Sequence, residues 1–158
     1  MYQQKDYQDV CAQRKARLLS VCAGAGALLA LTLIAFFARW PQAVTTVLCG
    51  LAFCAFIFGW SMLVSPLNAY RKHIDHALRG RTHETRGVFA EIEDEPVVRD
   101  GVSFWPMNVN VGAGLRDDGN RLFYYDANLP RPDFHAGETL LLTSYDNRVT
   151  AWSRVQNE

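Results

Sequence analysis

Apolar residues are concentrated in two long uncharged runs in the first half of the chain. The first run covers residues 18–38 and the second covers residues 41–67, with Arg39 and Trp40 between them. A helix rises about 1.5 Å per residue, so about 20 apolar residues cross the hydrocarbon core of a bilayer. The pattern therefore predicts an antiparallel transmembrane hairpin over residues 18–64.

Two other interpretations of the apolar runs are less favourable. A soluble helical protein would have to bury both helices on all sides, and 158 residues supply too little surrounding structure for that. The apolar region of a cleaved signal peptide spans about 7–15 residues and is shorter than either run. Integration into a membrane is the favoured interpretation, with the lipid bilayer as the first partner.

The basic residues predict an orientation for the hairpin. The tail over residues 1–17 and the segment over residues 65–82 each carry four Lys or Arg residues, whereas the turn carries Arg39 alone. Positively charged flanks favour the cytoplasmic side of a membrane. We therefore expect both termini in the cytoplasm and the chain in the cytoplasmic membrane.

The segment after the hairpin has the periodicity of an amphipathic helix. Apolar residues recur at three- and four-residue spacing between Leu67 and Leu78, which predicts a connector helix within residues 65–82. It either lies on the inner membrane surface or extends the second span. His73 and His76 have a spacing that could bring both imidazoles near one metal ion, but no third ligand follows at a recognisable spacing, so no metal site is predicted.

From residue 83 onwards the pattern changes to an alternation of period two with turn signals. Asp100-Gly101 and Asp146-Asn147 lie between apolar runs, as in tight hairpins, and a further turn is predicted at residues 117–120. Five or six short antiparallel strands over residues 83–158 predict a small cytoplasmic β-barrel, OB-like or SH3-like, because closure removes exposed edges. The fold class is therefore an α+β membrane protein: a two-helix hairpin, a connector helix and a small barrel.

Alternation also predicts which strand residues point inward. One face of the first strand carries Val88, Ala90 and Ile92, and Leu122 and Tyr124 share a face of a later strand. These residues belong to the predicted core, which has seven further members. The other predicted core residues are Val102, Phe104, Val109, Leu140, Leu142, Val149 and Ala151.

Two groups of residues are candidates for contact surfaces. Small residues at four-residue spacing allow close helix packing, either within the hairpin or against another membrane subunit. Aromatic residues on the outward face of the strands, together with acidic residues, could form a partner surface. The candidate helix-packing residues are Ser20, Gly24, Gly26, Ala30, Gly50, Cys54 and Gly59. The candidate partner-surface residues are Trp105, Phe123, Tyr125, Trp152, Glu91 and Glu93.

Charge and motif content narrow the function classes. The net charge is zero, but residues 1–80 carry +5 (eight basic, three acidic) and residues 81–158 carry −5 (eight basic, thirteen acidic). An acid-rich barrel without lysine does not favour nucleic acid, which binds in positively charged grooves. The chain has no G-x-S-x-G, phosphate-loop or H-E-x-x-H motif, so no catalytic residue and no cofactor is predicted.

The order of elements resembles that of short NfeD-like membrane proteins. The likeness rests on residues 135–142 (HAGETLLL), a glycine-containing turn entering an apolar strand, and on residues 146–149 (DNRV) before the last strand. The chain departs from that family in having Gly87 alone where a glycine-rich first strand is expected. The resemblance implies an OB-fold in the C-terminal domain and a role in organising or assisting other membrane proteins.

Two hypotheses on function follow from these observations, and a third, an enzyme, would require a cleft that brings Asp133, His135 and a hydroxyl group together. In the first, the protein is a non-enzymatic, membrane-anchored module whose barrel recruits or braces a protein partner, either another membrane protein or a second copy of the chain. In the second, the barrel senses a small ligand or a lipid head group and signals through the connector helix. An aromatic-lined pocket in the barrel mouth would favour the second hypothesis, and a flat aromatic patch would favour the first.

Overall fold

The computed structural model describes residues 1–112 and 119–155. The chain divides into two compact units. We call the first the sheet unit, made of Met1–Tyr7 and Lys72–Glu158, and the second the helical unit, Gln8–Arg71. Each unit is described by itself below.

Two apolar helices dominate the first 79 residues. The elements are α1 (Gln4–Phe37), α2 (Gln42–Gly59), a π-helical turn (Trp60–Val64) and α3 (Ser65–Arg79). The turn between α1 and α2 uses Arg39 in a left-handed conformation, with φ of 55°, and Pro41 precedes the first turn of α2. A proline is tolerated there because the first amides of a helix have no intrahelical acceptor.

By length and composition, both helices are suited to crossing a membrane. The continuous helical stretches Gln4–Phe37 and Gln42–Arg79 each contain an 18-residue apolar segment suited to spanning, and only 17% and 11% of the residues in these segments are buried within the protein. Large apolar side chains such as Phe37, Val47 and Ile57 are exposed along both helices. This confirms the two predicted apolar helices, although α1 begins at Gln4 and so includes most of the predicted tail.

The candidate helix-packing residues occupy different environments. A Cβ atom added to Gly59 would lie 3.0 Å from Cγ2 of Val21, so α2 approaches α1 closely at this glycine. A Cβ atom added to Gly24, Gly26 or Gly50 would have no described atom within 4 Å outside its own helix. Ser20, Ala30 and Cys54 are exposed as well. Gly59 is thus in the helix contact, and a role for the other six in docking a second subunit stays a prediction.

The described part of the sheet unit contains a six-stranded sheet. Its strands are β1 (His83–Ile92), β2 (Val97–Arg99), β3 (Val102–Asn110), β4 (Asn120–Asp126), β5 (Thr139–Tyr145) and β6 (Arg148–Arg154). The strand order is β1-β5-β6-β4-β3-β2, and β1 also pairs with β3. The five strands other than β2 therefore form a cycle of pairings, in which β4 and β6 are parallel and the other pairs are antiparallel.

Glycine permits the close approach of β1 to β3 within this cycle. A Cβ atom on Gly87 would lie 2.5 Å from Cγ1 of Val109 and 2.8 Å from the carbonyl oxygen of Asn110. A real side chain would have to push one strand away, so the absence of a side chain at this position helps β1 to pair with β3 as well as with β5.

Two of the predicted turns are confirmed. Asp100 and Gly101 have φ of 51° and 77° between β2 and β3, and Asp146 and Asn147 have φ of 49° and 60° between β5 and β6. Both are two-residue turns of the type that suits the twist of a hairpin. The first two residues of the predicted turn at residues 117–120 lie outside the described residues.

The predicted inward face of β1 is wrong for Val88 and Ala90, because the strand contains a bulge. Phe89 is buried in the core, Ala90 is exposed and Val88 is half-buried, whereas Ile92, beyond the bulge, packs against the core as predicted. The pairing of β1 with β3 shifts register between Phe89 and Glu91, which places one extra residue in β1. A bulge reverses the alternation on either side of it, so a strict period of two assigns the wrong face to part of the strand.

The predicted outward face of β4 is also wrong. Phe123 and Tyr125 are 1% and 4% exposed and lie in the main core, whereas Leu122 is 37% exposed. Tyr124, on the opposite face, is buried against Phe104. Both faces of β4 are covered at residues 123–125. The rule that apolar residues point inward and polar residues outward therefore cannot tell which side chains of this strand face the main core. The main core consists of Phe89, Met107, Val109, Phe123, Tyr125, Leu140, Leu142 and Val149.

Candidate functional site

A buried polar network joins three distant segments of the sheet unit. The Tyr2 hydroxyl lies 2.9 Å from Nε2 of His73, on the C-terminal half of α3, and 2.8 Å from Oδ2 of Asp126, the last residue of β4. His73 is 3% exposed and Asp126 is 0% exposed. The network therefore holds the N-terminal segment, α3 and the sheet together inside one unit.

The direction of the hydrogen bonds follows from the acceptor at one end. The Tyr2 hydroxyl donates to Oδ2 of Asp126. The single hydroxyl hydrogen is then used, and His73 contributes to the contact by donating from Nε2 to the Tyr2 oxygen. The second carboxylate oxygen, Oδ1, accepts from the backbone and side-chain amides of Asn128, both at 2.9 Å. Asp126 thus satisfies donors from two segments.

Aromatic rings enclose the network. Phe104 of β3 is fully buried and meets the His73 ring edge to face, with ring centroids 5.1 Å apart. The Tyr2 ring also contacts His73 edge to face at 5.5 Å. Tyr124 covers the other side of Phe104 at 6.2 Å. Phe104 and Tyr2 shield His73, which is 3% exposed, from solvent and so strengthen the electrostatic component of its hydrogen bond.

Arginine side chains lie over the outer aromatic surface of this site. The guanidinium of Arg148 lies 5.5 Å from the Phe104 ring centroid, and that of Arg99 lies 4.1 Å from the Tyr124 centroid. Arg148 also forms an ion pair with Asp100 in the β2–β3 turn. The hydrogen bond and the charge of Arg148 lower the pKa of Asp100 from its ordinary value. The turn is thereby tied to the start of β6.

Burial dominates the protonation of His73. Desolvation lowers the pKa of His73 to about 4, because the imidazolium form loses its hydration in the apolar enclosure. The charges of Arg148 and His76 lower this pKa further, while Asp126 opposes them. His73 is therefore neutral at pH 7 and acts as a hydrogen-bonding group without charge.

A second contact between α3 and the sheet lies one turn further along the helix. Nδ1 of His76 is 2.9 Å from the Tyr145 hydroxyl, and the two rings meet edge to face with centroids 5.0 Å apart. A shallow cavity of about 200 Å³ adjoins this pair and is bordered by Asp75 and Arg79. His73 and His76 thus have different partners, and the structure does not direct the two imidazoles to a common point.

The remaining candidate partner-surface residues differ in their exposure and contacts. Trp105 is half-buried beneath the guanidinium of Arg131, whose distance to the ring centroid is 5.3 Å. Trp152 is 37% exposed and stacks edge to face on Phe134 at 4.8 Å. Glu91 and Glu93 are exposed. The burial of Phe123 and Tyr125 removes these two from any surface, so the predicted aromatic patch reduces to Trp105 and Trp152.

A larger cavity lies where β1, β3 and β5 meet. Its volume is about 360 Å³, and it is lined by Arg86, Val88, Asn110 and Thr139, among other residues. No aromatic side chain contributes to the lining among the described residues. The cavity therefore differs from the aromatic-lined pocket that would favour a sensor for a small ligand.

Sequence patterns could not have found the Tyr2–His73–Asp126 network. Its members are 71 and 124 residues apart, and each has an ordinary local explanation in the sequence. The closest signal is Asp126 followed by Asn128, which predicts a turn stabilised by an Asx side chain. The structure confirms that local role and adds the long-range one.

Comparisons with family models, curated proteins and solved structures found no match to this chain. The resemblance to NfeD-like proteins therefore rests on the order of elements and on residues 135–142 and 146–149.

Proposed function

We propose that this protein is a non-enzymatic, membrane-anchored module whose C-terminal unit binds a protein partner at the cytoplasmic face of a membrane. The observation that carries the proposal is the exposed apolar surface of α1 and α2. Only 17% and 11% of the residues in the most apolar segments of the two helical stretches are buried, so the protein leaves most of these apolar side chains uncovered. The hydrocarbon core of a bilayer would remove this apolar surface from contact with water.

The architecture of the C-terminal unit supports a small closed barrel. The pairing cycle β1-β3-β4-β6-β5 returns to β1 through a parallel contact between β4 and β6, and a five-stranded cycle of this kind is consistent with an OB-type barrel. A closed barrel presents its loops and its one additional strand, β2, for binding. This is the type of domain that the function we propose requires.

The buried network supports a structural rather than a catalytic role. His73 and Asp126 resemble the members of an acid–base pair in residue type, but both are almost completely buried beneath Tyr2 and Phe104. A general base has to reach the proton that it removes from a substrate. The pair instead fastens α3 to the sheet.

The proposed orientation has a direct test. Basic residues lie before the first apolar run and after the second, at the ends away from the turn. Both termini should therefore face the cytoplasm. A phosphatase that is active only outside the membrane, fused after residue 158, should give no signal, and a fluorescent protein that matures only in the cytoplasm should give full signal. The opposite pair of results would overturn the orientation. A fusion at Trp40, in the turn, is the matched control and should show the reverse.

Partner binding is tested by purifying the chain from its native membrane in mild detergent and measuring intact complexes by mass spectrometry. We expect a stoichiometric complex with another membrane protein, which should persist through gel filtration. A chain that arrives alone contradicts the recruiting function. A chain that arrives alone with a bound small molecule favours a sensor instead, with the cavity between β1, β3 and β5 as the first place to map it.

A further inference from the structure

The outer edge of β2 is the most exposed apolar feature of the sheet unit. Val98 is 66% exposed and Val97 is 42% exposed. β2 ends the strand order, and within the described residues it pairs with β3 alone. An open strand edge with apolar side chains is a template for pairing with another extended segment.

Hydrogen-bond geometry identifies which backbone groups face this open edge. Val98 is opposite Ser103 in the β2–β3 pair. The carbonyl of Ser103 accepts from the amide of Ala127 at 3.0 Å, on the β4 side, so it points away from β2. Val98 and Ser103 therefore form a non-hydrogen-bonded pair, and the amide and carbonyl of Val98 point outward. One donor and one acceptor are thus available to an incoming strand.

The charge beside β2 indicates the kind of segment that fits. Glu93, Asp94 and Glu95 immediately precede the strand, and Arg131 neutralises one of them through an ion pair with Asp94 at 2.8 Å. At the other end, the guanidinium of Arg99 lies over Tyr124. Glu93 and Glu95 therefore make the end of the edge where β2 begins negative, while Arg99 lies at the other end. Lys or Arg side chains on an incoming segment would be attracted to the acidic end.

We propose that β2 binds an extended, basic segment of a partner protein by strand addition, with the amide and carbonyl of Val98 making the central hydrogen bonds. This rests on the function proposed above and specifies how the partner binds. Short length, Pro96 and the acidic residues protect the edge from self-association, as edge strands require. They leave it open to a partner of opposite charge.

The test uses the full chain in detergent micelles and a fluorescent, acetylated heptapeptide of alternating Lys and Val residues. We expect saturable binding by fluorescence anisotropy and slower hydrogen exchange of the Val98 amide. A peptide with Glu in place of Lys should bind more weakly, with a dissociation constant at least about tenfold higher. A Lys–Val peptide that is N-methylated at every amide should also lose about tenfold, since neither of its edges can donate a backbone hydrogen bond to β2. This last comparison leaves the protein unchanged.

Variants of Val98 separate backbone pairing from apolar contact. Val98→Pro removes an amide that the fold does not use, and should weaken peptide binding by about tenfold. Val98→Thr is the matched control, because it keeps the amide and the β-branched shape, and should bind like the original chain. Tryptophan fluorescence of both variants checks that they fold.

Three results would overturn strand addition at β2: no binding of the Lys–Val peptide, equal binding of the N-methylated peptide, or unchanged binding by Val98→Pro. A doubled molecular mass that Val98→Pro abolishes would assign the edge to a second copy and would also overturn a basic partner. A native complex that survives Val98→Pro would overturn this mode of binding while leaving the recruiting function intact. The two proposals therefore fail separately.

Discussion

Replacing Asp126 with alanine should lower the free energy of unfolding of the sheet unit by about 3 kcal/mol. The carboxylate is fully buried and accepts from the Tyr2 hydroxyl and from both amides of Asn128. Alanine removes the acceptor of these hydrogen bonds and leaves a cavity at a position that is 0% exposed. A loss of this size is a large share of the 5–15 kcal/mol that stabilises a typical domain.

Asp126→Asn is the matched control for this prediction. The amide has nearly the same shape, and its oxygen can still accept from Asn128, while its NH₂ group can donate to the Tyr2 oxygen. The Tyr2 hydroxyl would then turn toward His73. We expect a loss of about 1 kcal/mol, consistent with rearranging hydrogen bonds rather than removing them.

The measurement is urea unfolding of the full chain in detergent, followed by hydrogen exchange of β3 and β4 so that the sheet unit is observed separately from α1 and α2. Exchange should accelerate in Asp126→Ala across both strands and at Tyr2. If Asp126→Ala and Asp126→Asn lower stability equally by less than 1 kcal/mol, the network does not hold the unit together.

Local patterns in the sequence predict local elements well. The two apolar helices, the turn around Arg39 and the hairpin turns at residues 100–101 and 146–147 are all found in the structure. Each depends on properties within a few residues: apolar length, a proline in a first helical turn, or residues that tolerate positive φ. Element positions therefore follow from sequence even where the chain matches no known family.

Inward and outward faces are less predictable, because they depend on what covers each strand. The bulge after Phe89 reverses the alternation in β1, and its cause is the pairing of β1 with β3 at long range. In β4, Phe123 and Tyr125 face the main core while Tyr124 faces Phe104 on the other side. An alternation of period two identifies the inward face only when the other face of the strand is exposed to solvent. Neither face of β4 is exposed at residues 123–125.

The candidate site depends even more strongly on tertiary structure. His73 has the sequence appearance of an interfacial residue on an amphipathic helix, and Tyr2 that of a terminal tail. Their meeting with Asp126 requires α3 and the N-terminal segment to pack on the same part of the sheet. No spacing rule covers contacts of this kind. The charges near β2 were visible in the sequence, but the open edge beside them appeared only with the strand order.

The stability of the sheet unit should fall by about 3 kcal/mol between pH 7 and pH 4 because of His73 alone. Its pKa in the folded state is lowered to about 4, mainly by burial, from an ordinary value of 6.5. As the pH falls below 6.5, the unfolded chain binds a proton at His73 that the folded chain does not accept. The unfolded state is thus favoured progressively until about pH 4, below which both states are protonated and the effect is constant.

His73→Gln isolates this contribution from the titration of carboxylates. Glutamine does not titrate and can still donate a hydrogen bond to the Tyr2 oxygen, so the variant should be similar in stability at pH 7. The difference between the two unfolding free energies should then change by about 3 kcal/mol in favour of the variant by pH 4. His135→Gln, at an exposed position in the loop before β5, serves as the control for replacing a histidine. Parallel pH profiles for His73→Gln and the original chain would show that burial does not oppose protonation of His73, and the enclosure by Phe104 and Tyr2 would then have to be open to water.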